Sequence, residues 1–279
     1  EFKASNPQPA VKIEYYIKDG FTGLRSKRIK AQKAALKSGE KYPYPTEEEL
    51  RAEKTEVKPG LVFTIYDLDG NIMKKLSAPL SKGYKSINWD FSYLSNRGIK
   101  VVPGEYKVAI DKNDNGVFTR LLEPQSFKVI ALPTALGTPD YAEKFNFAKK
   151  LNKLNASVSS ARTKISDMNK RLSFMKGATT GLAVEGNFLI EEINAFQKEV
   201  DAISKVISGG FGAKRSVSGS LGFAGYATSG ANVNITGAQK EQYNLAKKAF
   251  AGQPDMIADL INNKLPALEK KFKAAGGVL

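Results

Sequence analysis

The most constraining feature of this sequence is a change of hydrophobic period near residue 133. Residues 1–133 alternate apolar and polar side chains with the two-residue period of half-buried β-strands. Residues 138–279 place apolar side chains at steps of three and four, the period of amphipathic helices. We therefore predict an α+β chain of two domains, a β-rich domain at 1–133 and a helical domain at 138–279, joined by Ala131-Leu132-Pro133-Thr134.

The β-rich domain contains about seven short strands separated by turn signals, which predicts an antiparallel Ig-like β-sandwich. The turns are indicated by Asp69-Gly70-Asn71, Pro103-Gly104 and the segment 113–116. The alternating apolar positions that define the strands are Val11, Ile13, Tyr15 and Ile17; Leu61, Phe63 and Ile65; Ile72 and Leu76; Ile87, Trp89 and Phe91; Tyr106, Val108 and Ile110; Val117 to Leu122; and Phe127 and Val129. Trp89 and the strand aromatics have inward parity, so we expect them in the core rather than as stacking platforms for sugars.

A charged segment at 22–57 interrupts the strands and is predicted to be a helical insertion. Leu24 to Ser38 has helical character, and Gly39 is placed to end that helix. Thr46 and Glu49 form the capping-box pattern that opens a second, shorter helix. We expect this excursion to cover one edge or end of the sandwich.

The helical domain contains two long heptad seams and a third helical stretch, which together predict an antiparallel three-helix coiled-coil-like bundle. Thr138 is the expected N-cap of the first helix, and Gly177 is expected to end it. Pro266 is expected to kink or restart the third stretch. The seam residues are Leu151, Leu154, Val158, Ala161, Ile165, Met168, Leu172 and Met175; then Leu189, Ile193, Phe196, Val200, Ile203 and Ile207; then Tyr243, Phe250, Ile257, Leu260, Leu265, Leu268 and Phe272.

Charge predicts how the first two helices pair. The first carries nine basic and three acidic residues, and the second, at 184–207, carries five acidic and two basic ones. One antiparallel register places Arg171 near Glu192 and Lys164 near Glu199. We predict these two ion pairs, each contributing about 0–1 kcal/mol.

A Gly-rich stretch at 208–237 separates the second and third helical segments. It holds eight glycines but also apolar residues, which a pure linker rarely carries. We expect an extended excursion whose apolar side chains dock on the bundle or on a partner; these residues are Phe211, Leu221, Phe223, Tyr226, Val233 and Ile235.

The complete absence of His and Cys excludes large classes of enzyme. No Ser-His-Asp or Cys-His nucleophile and no thiolate metal site can be built from this chain. What remains is carboxylate or Ser/Lys chemistry, or no chemistry, and Ser216, Ser218 and Ser220 have only Lys214 nearby and lack a recognisable base. We expect a non-enzymatic protein without metal or cofactor; a hydrolase using Asp67 or Asp111 is the least favoured alternative.

Two acidic motifs have competing interpretations. Asp111, Asn113 and Asn115 with Gly116 resemble the start of an EF-hand loop, but Leu122 stands where that loop needs a bidentate Glu. A hairpin turn explains the same residues, and we favour it. Turn chemistry is likewise favoured for Asp67 and Asp69, which flank a turn glycine.

The densest cationic run is the candidate binding site of the sequence. Its members, with no acid among them, are Arg25, Lys27, Arg28, Lys30, Lys33 and Lys37. Such a patch is typical of sites for anionic glycans or nucleic acids; alternatively, it is a solvated helix face. The net charge of +15 is divided almost evenly, +7 in residues 1–133 and +8 in 134–279, and no nucleic-acid-binding motif accompanies it. We therefore do not expect nucleic acid as the partner.

The order of the motifs resembles a known family. They are Phe2-Lys3-Ala4-Ser5-Asn6-Pro7, Tyr15-Tyr16, Tyr42-Pro43-Tyr44-Pro45-Thr46, Leu50-Arg51-Ala52-Glu53, Ile65-Tyr66-Asp67-Leu68-Asp69-Gly70, Gly83 to Trp89-Asp90, Val102-Pro103-Gly104-Glu105-Tyr106, Ile235-Thr236-Gly237-Ala238-Gln239 and Leu265-Pro266-Ala267-Leu268-Glu269. This order is similar to the C-terminal region of large bacterial sortilin-type (BNR-repeat) propeller proteins, often labelled glycosyl hydrolase. The predicted sandwich also resembles the Ig-like domain of the flagellar hook-capping protein.

The resemblance implies a supporting role at the bacterial cell envelope or outer surface, or in a secreted protein. The propeller that would hold a carbohydrate site is not in this sequence, so no catalytic residue is carried over, and we expect the chain to be the terminal part of a larger protein. The expected function is that of a non-catalytic interaction module that docks on its own upstream propeller or on an envelope complex. No segment reaches the length of about 18–20 apolar residues that a membrane span requires.

Overall fold

The computed structural model describes residues 9–42, 44–94, 96–131, 137–181, 185–210, 215–226 and 234–278. Within these ranges the chain is mixed α/β, with antiparallel sheets and a set of helices. It divides into two compact units, Glu1–Leu132 and Pro133–Leu279. The motif at Phe2–Pro7 and most of the predicted linker, from Leu132 to Thr134, lie outside the described residues.

The N-terminal unit contains three antiparallel sheets. The strands β1 (Val11–Ile17) and β4 (Gly83–Trp89) pair with each other. A four-stranded sheet has the order β3 (Ile72–Pro79), β2 (Gly60–Tyr66), β7 (Gly104–Asp114), β8 (Val117–Val129). Two short strands, β5 (Ser92–Tyr93) and β6 (Asn96–Lys100), form the third pair and were not predicted from the sequence.

The core of this unit follows the predicted parity. Leu61, Phe63 and Ile65 on β2 are fully buried, as is Trp89 at the end of β4. The Trp89 ring lies 5.7 Å from that of Tyr106 and 6.0 Å from that of Phe127, centroid to centroid. The prediction that Trp89 is a core residue is therefore confirmed.

Two details of the predicted strands are wrong. The segments at Val117–Leu122 and Phe127–Val129 belong to one strand, β8. Bulges opposite Val108–Asp111 accommodate the extra residues of β8, so its pairing with β7 continues past them. Phe91 does not continue β4: it lies beyond the last residue of that strand, and its φ of 62° turns the chain.

Both helices of the predicted insertion are confirmed, but no residue of either helix is buried against a sheet edge, as the expected cover would require. Helix α1 runs over Leu24–Ser38 and ends at Gly39, whose φ of 76° is the left-handed conformation that glycine adopts readily. Helix α2 runs over Glu47–Thr55 and opens with the predicted capping box between Thr46 and Glu49. Residue 43 between the two helices lies outside the described residues.

The C-terminal unit is built from helices that share one hydrophobic core. They are α3 (Tyr141–Ala178), α4 (Glu185–Ser208), α5 (Val217–Gly225), α6 (Gly237–Phe250), α7 (Gln253–Asp259) and α8 (Leu265–Ala274). All predicted seam residues are buried in this core or, as for Leu154 and Tyr243, packed against it. A π-helical turn at Leu260–Lys264 precedes Pro266, so the predicted restart of the helix is confirmed.

The ends of α3 differ from the prediction. Asp140, not Thr138, is the N-cap, because its carboxylate accepts the N–H of Glu143 at 2.8 Å while its own N–H donates to Asn234 Oδ1 at 2.7 Å. At the other end the helix continues through Gly177 to Ala178 and then tightens into a 3₁₀ turn over Thr179–Gly181.

The predicted ion pairs Arg171–Glu192 and Lys164–Glu199 are wrong. The last helical stretch provides the partners instead, and the pairs are Lys271–Glu192 at 2.7 Å, Lys264–Glu199 at 2.6 Å and Arg171–Glu269 at 2.8 Å. Glu192 lies seven residues before Glu199, and Lys271 lies seven residues after Lys264. One antiparallel register therefore satisfies both lysine pairs. The charge complement of α4 is therefore on the chain's third helical stretch, not on α3.

The Gly-rich stretch contains a helix rather than an extended excursion over 217–225. The Ser216 hydroxyl accepts the N–H of Gly219 at 3.0 Å and caps α5, which buries Val217, Leu221 and Ala224 in the core. Packing on the core of the helical unit is confirmed for Leu221 and Ile235, whereas Phe223 and Tyr226 are exposed. Phe211 and Val233 lie outside the described residues.

Candidate functional site: the helical excursion

The helical excursion, residues 20–57, begins at a close approach between two backbones. Phe21 donates its N–H to the carbonyl of Leu80 at 2.8 Å. A Cβ on Gly20 would lie only 2.4 Å from the backbone nitrogen of Lys82, so only glycine fits there without a shift of the chain. The excursion is thus tied to the loop between β3 and β4 where it leaves the sheet.

Helix α1 takes its N-terminal cap from a distant residue. Its N-cap position is Gly23, which has no side chain to offer, and both carboxylate oxygens of Glu56 accept the N–H of Leu24 at 3.0 Å. A carboxylate at this end is also favoured by the helix dipole. A Cβ on Gly23 would lie 2.7 Å from Glu56 Oε2, so glycine makes room for the cap.

A bidentate ion pair joins the two helices of the excursion. Arg28 Nε lies 2.5 Å from Glu53 Oε1, and Arg28 Nη2 lies 2.9 Å from Glu53 Oε2. Both side chains are largely covered. The hydrogen bond from Arg28 lowers the pKa of the Glu53 carboxyl, and the same bond raises the pKa of Arg28. Together with the Glu56 cap, this pair fixes α1 against α2.

The structure divides the predicted basic patch into two groups. Arg28 is engaged by Glu53, and Arg25 lies close enough to Glu53 to lower the pKa of that carboxyl further. The other four members are exposed and have no ion pair in the described part of the chain: Lys27, Lys30, Lys33 and Lys37. Because they recur at steps of three and four, they lie along one side of α1, opposite the side that meets α2. We call these four residues the lysine stripe; it extends over roughly 15 Å.

The excursion also exposes apolar side chains. None of the fifteen residues of α1 and none of the nine residues of α2 is buried. Leu36 is 78% exposed, Tyr44 94% and Val57 57%. Leu36 lies on α1, Tyr44 lies between the two helices, and Val57 follows α2. We call these three residues, together with α1 and α2, the excursion surface.

The acidic motifs of the sequence are occupied by turn formation. Asp67 accepts the N–H and the side-chain amide of Asn71 at 2.7 and 2.9 Å. Asn113 Oδ1 accepts the N–H of Gly116 at 2.9 Å, and Asp111 pairs with Arg120 at 2.5 Å. The turn interpretation is therefore confirmed for both motifs. Among the described residues, no three acidic side chains are close enough together to hold a metal ion.

Sequence reasoning missed one polar cluster, the Asp90 cluster, which is made of Lys74, Asp90, Ser92 and Lys100. The Ser92 hydroxyl donates to Asp90 Oδ1 at 2.6 Å and accepts from Lys74 Nζ at 2.8 Å. Lys100 Nζ donates to the carbonyl of Asp90 at 2.8 Å. A serine between an amine and a carboxylate suggests nucleophilic chemistry, but Ser92 is completely buried, so no substrate reaches its hydroxyl.

The Asp90 cluster instead stabilises a strained turn. Phe91 and Leu94 have φ of 62° and 48°, which non-glycine residues rarely adopt. Lys74 holds the carbonyl of Leu94 at 2.6 Å, and the Trp89 indole N–H donates to the carbonyl of Ser92 at 3.0 Å. The spacing of Asp90 and Ser92 is a local turn signal, whereas the two lysines come from other strands and leave no sequence motif.

The Asp90 cluster makes the stability of the chain depend on pH in acid. Burial opposes ionisation of Asp90, but hydrogen bonds from Ser92 and Lys100 outweigh it and lower the pKa to about 2. The unfolded chain has a pKa near 3.9 at this position. Ionised Asp90 therefore stabilises the fold above about pH 4, and this contribution is lost as the pH falls through about 2.

We expect Asp90→Asn to lower the melting temperature at pH 6, measured by circular dichroism, because the variant lacks the ionised carboxylate. The difference in melting temperature between variant and wild type should shrink towards pH 2. A difference that does not change with pH contradicts this prediction.

Comparison with protein-family models, with curated proteins and with solved structures found no match. No described helix is both long enough and apolar enough to cross a membrane.

Proposed function

We propose that this chain is a non-catalytic interaction module whose excursion surface binds a protein partner. The observation that carries this proposal is that none of the fifteen residues of α1 is fully buried in its own chain. Isolated helices of this length are marginal in water. The Arg28–Glu53 pair and the Glu56 cap nevertheless hold it in one place, which suits a surface that is presented to another molecule.

We also propose a finer architecture for each of the two units. We propose an Ig-like sandwich for the N-terminal unit, supported by the aromatic contacts of Trp89 on β4 with Tyr106 on β7 and Phe127 on β8. The Tyr106 hydroxyl donates to the carbonyl of Val102, a bond similar to the tyrosine corner of Ig-like domains. For the C-terminal unit we propose a three-helix bundle in which α3, α4 and the α6–α8 stretch share one core.

The resemblance to sortilin-type propeller proteins suggests which partner to test first. We propose that the excursion surface docks on a propeller of this type or on a complex of the bacterial envelope, and that the protein works at the cell surface. Exposed apolar residues flanked by lysines favour a partner with an apolar groove bordered by acidic side chains.

The test of this proposal is binding of the full 279-residue chain to a recombinant sortilin-type propeller and to a bacterial envelope extract. We expect the double variant Leu36→Glu, Tyr44→Glu to lose binding about tenfold or more, because buried apolar anchors dominate interface energies. Phe174→Glu with Phe188→Glu is the matched control, since these are exposed aromatics on α3 and α4. Equal retention of the same partner by wild type and by the double variant would refute the proposal.

The lysine stripe favours a second candidate function, the binding of an anionic polymer such as a sulfated glycan. Four exposed ammonium groups, which have no ion pair among the described residues, make a continuous cationic row on one side of a helix. Because Arg28 is engaged by Glu53, the stripe rather than the whole predicted patch would carry this binding.

For the second candidate, we expect the affinity for heparin to fall steeply with salt, with each lysine contributing about 0.7–0.9 to the slope of log K against log salt concentration. Replacing Lys30 and Lys33 by Glu should reduce that slope by about two such contributions. Lys149→Glu with Lys153→Glu on α3 is the control of equal charge. Binding that does not change with salt, or equal loss in both double variants, would exclude the stripe as the site.

A further inference from the structure

The outer edge of β8 has the features of a strand-pairing site. No strand in the described part of the chain pairs with that edge, since β8 ends the order of its sheet. Four large apolar residues lie within six positions at the start of this strand, each between 42% and 67% exposed: Val117, Phe118, Leu121 and Leu122. We call residues 117–121 the β8 edge segment.

The usual protection of an exposed edge is absent from residues 117–120 of this segment. Natural edge strands carry unpaired charges, bulges or proline that prevent further pairing. The one charged residue here, Arg120, is neutralised by Asp111 of its own chain at 2.5 Å, and neighbouring Lys112 is neutralised by Asp114 at 2.9 Å. Pro124 and the bulges come only at and after Leu121.

The hairpin geometry determines which backbone groups face outward. Asn115 and Gly116 form a two-residue turn with φ of 49° and 87°, so the flanking pair Asp114–Val117 is hydrogen-bonded. Hydrogen-bonded and non-hydrogen-bonded pairs then alternate along the strands. Val117 and Thr119 direct their N–H and carbonyl groups towards β7, and Phe118 and Arg120 direct theirs towards the free edge.

We propose that the β8 edge segment pairs with the same segment of a second copy of this chain, antiparallel, about a two-fold axis at Thr119. In this register Phe118 of one copy and Arg120 of the other form the hydrogen-bonded pairs. These are the two residues whose backbone N–H and carbonyl groups face the free edge. Each Phe118 ring then meets a guanidinium, a favourable cation–π contact. Val117 meets Leu121, and Thr119 meets its own equivalent.

Self-complementarity and charge select a second copy as the occupant. In this register the apolar Val117 faces the apolar Leu121, and the aromatic Phe118 faces the cationic Arg120. Because Arg120 is paired with Asp111 of its own chain, the contact contains no uncompensated charge. Pairing consumes the edge in both copies, so the assembly closes as a dimer. The net charge of +15 on each chain opposes association, and salt screens that repulsion. Dimerisation should therefore strengthen with salt, the opposite of polyanion binding.

A cysteine at the symmetry axis tests the register directly, because the natural chain contains none. Facing residues of a non-hydrogen-bonded pair have Cα atoms about 4.5 Å apart, which is within disulfide range. We expect Thr119→Cys to form a disulfide dimer about tenfold or more faster than Ile130→Cys, a control at an exposed position just beyond β8. Sedimentation velocity of the unmodified chain should show a monomer–dimer equilibrium.

Phe118→Lys tests the same contact without a cross-link. It would place a lysine opposite Arg120 of the other copy, so we expect a monomer at concentrations where wild type and Ile130→Lys are dimeric. Circular dichroism verifies that each variant is folded. A wild-type chain that stays monomeric at all concentrations and salts, open-ended aggregates instead of a dimer, or equal cross-linking of Thr119→Cys and Ile130→Cys would overturn the proposal.

Discussion

Replacing Trp89 with alanine is expected to lower the free energy of unfolding of the N-terminal unit by about 3–5 kcal/mol. The Trp89 side chain is fully buried and contacts the rings of Phe91, Tyr106 and Phe127. Its indole N–H also satisfies the carbonyl of Ser92, so the variant loses ring packing, creates a cavity and leaves a buried acceptor unpaired.

Calorimetry measures this loss of stability. Trp89→Phe separates the ring packing from the hydrogen bond, and Tyr16→Ala is the control at an exposed position. Trp89→Phe keeps an aromatic ring but loses the hydrogen bond, so we expect a smaller loss than for alanine. Tyr16→Ala removes an exposed aromatic from β1 and should cost less than about 1 kcal/mol. If Trp89→Ala is no more destabilising than Tyr16→Ala, then Trp89 is not the centre of this core.

The features that the sequence predicted correctly are those with local causes. A heptad period fixes which side of a helix is buried, so the seam from Leu151 to Met175 could be identified without knowing what packs against it. Capping boxes and turn glycines act over three or four residues, which is why α2 and the turn at Asn113–Gly116 were found. The Ser216 cap with apolar residues at Val217, Leu221 and Ala224 was a similar signal for α5, but the high glycine content of the stretch obscured it.

The features that the sequence did not reveal depend on competition between distant segments. Glu192 and Glu199 each had a cation of suitable spacing on α3, yet Lys271 and Lys264 pair with them instead. Net charge per helix could not distinguish these partners, because the deciding factor is which helices become neighbours. The candidate site shows the same limit. Six basic residues were identified from the sequence, but only the fold reveals that Arg28 forms an ion pair with Glu53 and that the lysine stripe lies on the other side of α1.

The second large effect is expected at Phe272, near the end of the last helix. Phe272 is fully buried among the seam residues, and the chain beyond α8 folds back over its ring. Gly277 donates its N–H to the carbonyl of Phe272 at 2.9 Å, and a Cβ on Gly277 would lie 2.3 Å from the ring. The ring therefore fills the space between the seam residues and the backbone at Gly277.

We expect Phe272→Ala to destabilise the helical unit by about 3–5 kcal/mol, measured as the loss of helical circular dichroism in urea. Phe174→Ala is the matched control, since it makes the same substitution at an exposed position of α3 and should change stability by less than about 0.5 kcal/mol. Trp89 is the only tryptophan, so its fluorescence follows the other unit in the same samples. Equal stability of the two variants would mean that the last helix is not part of the core.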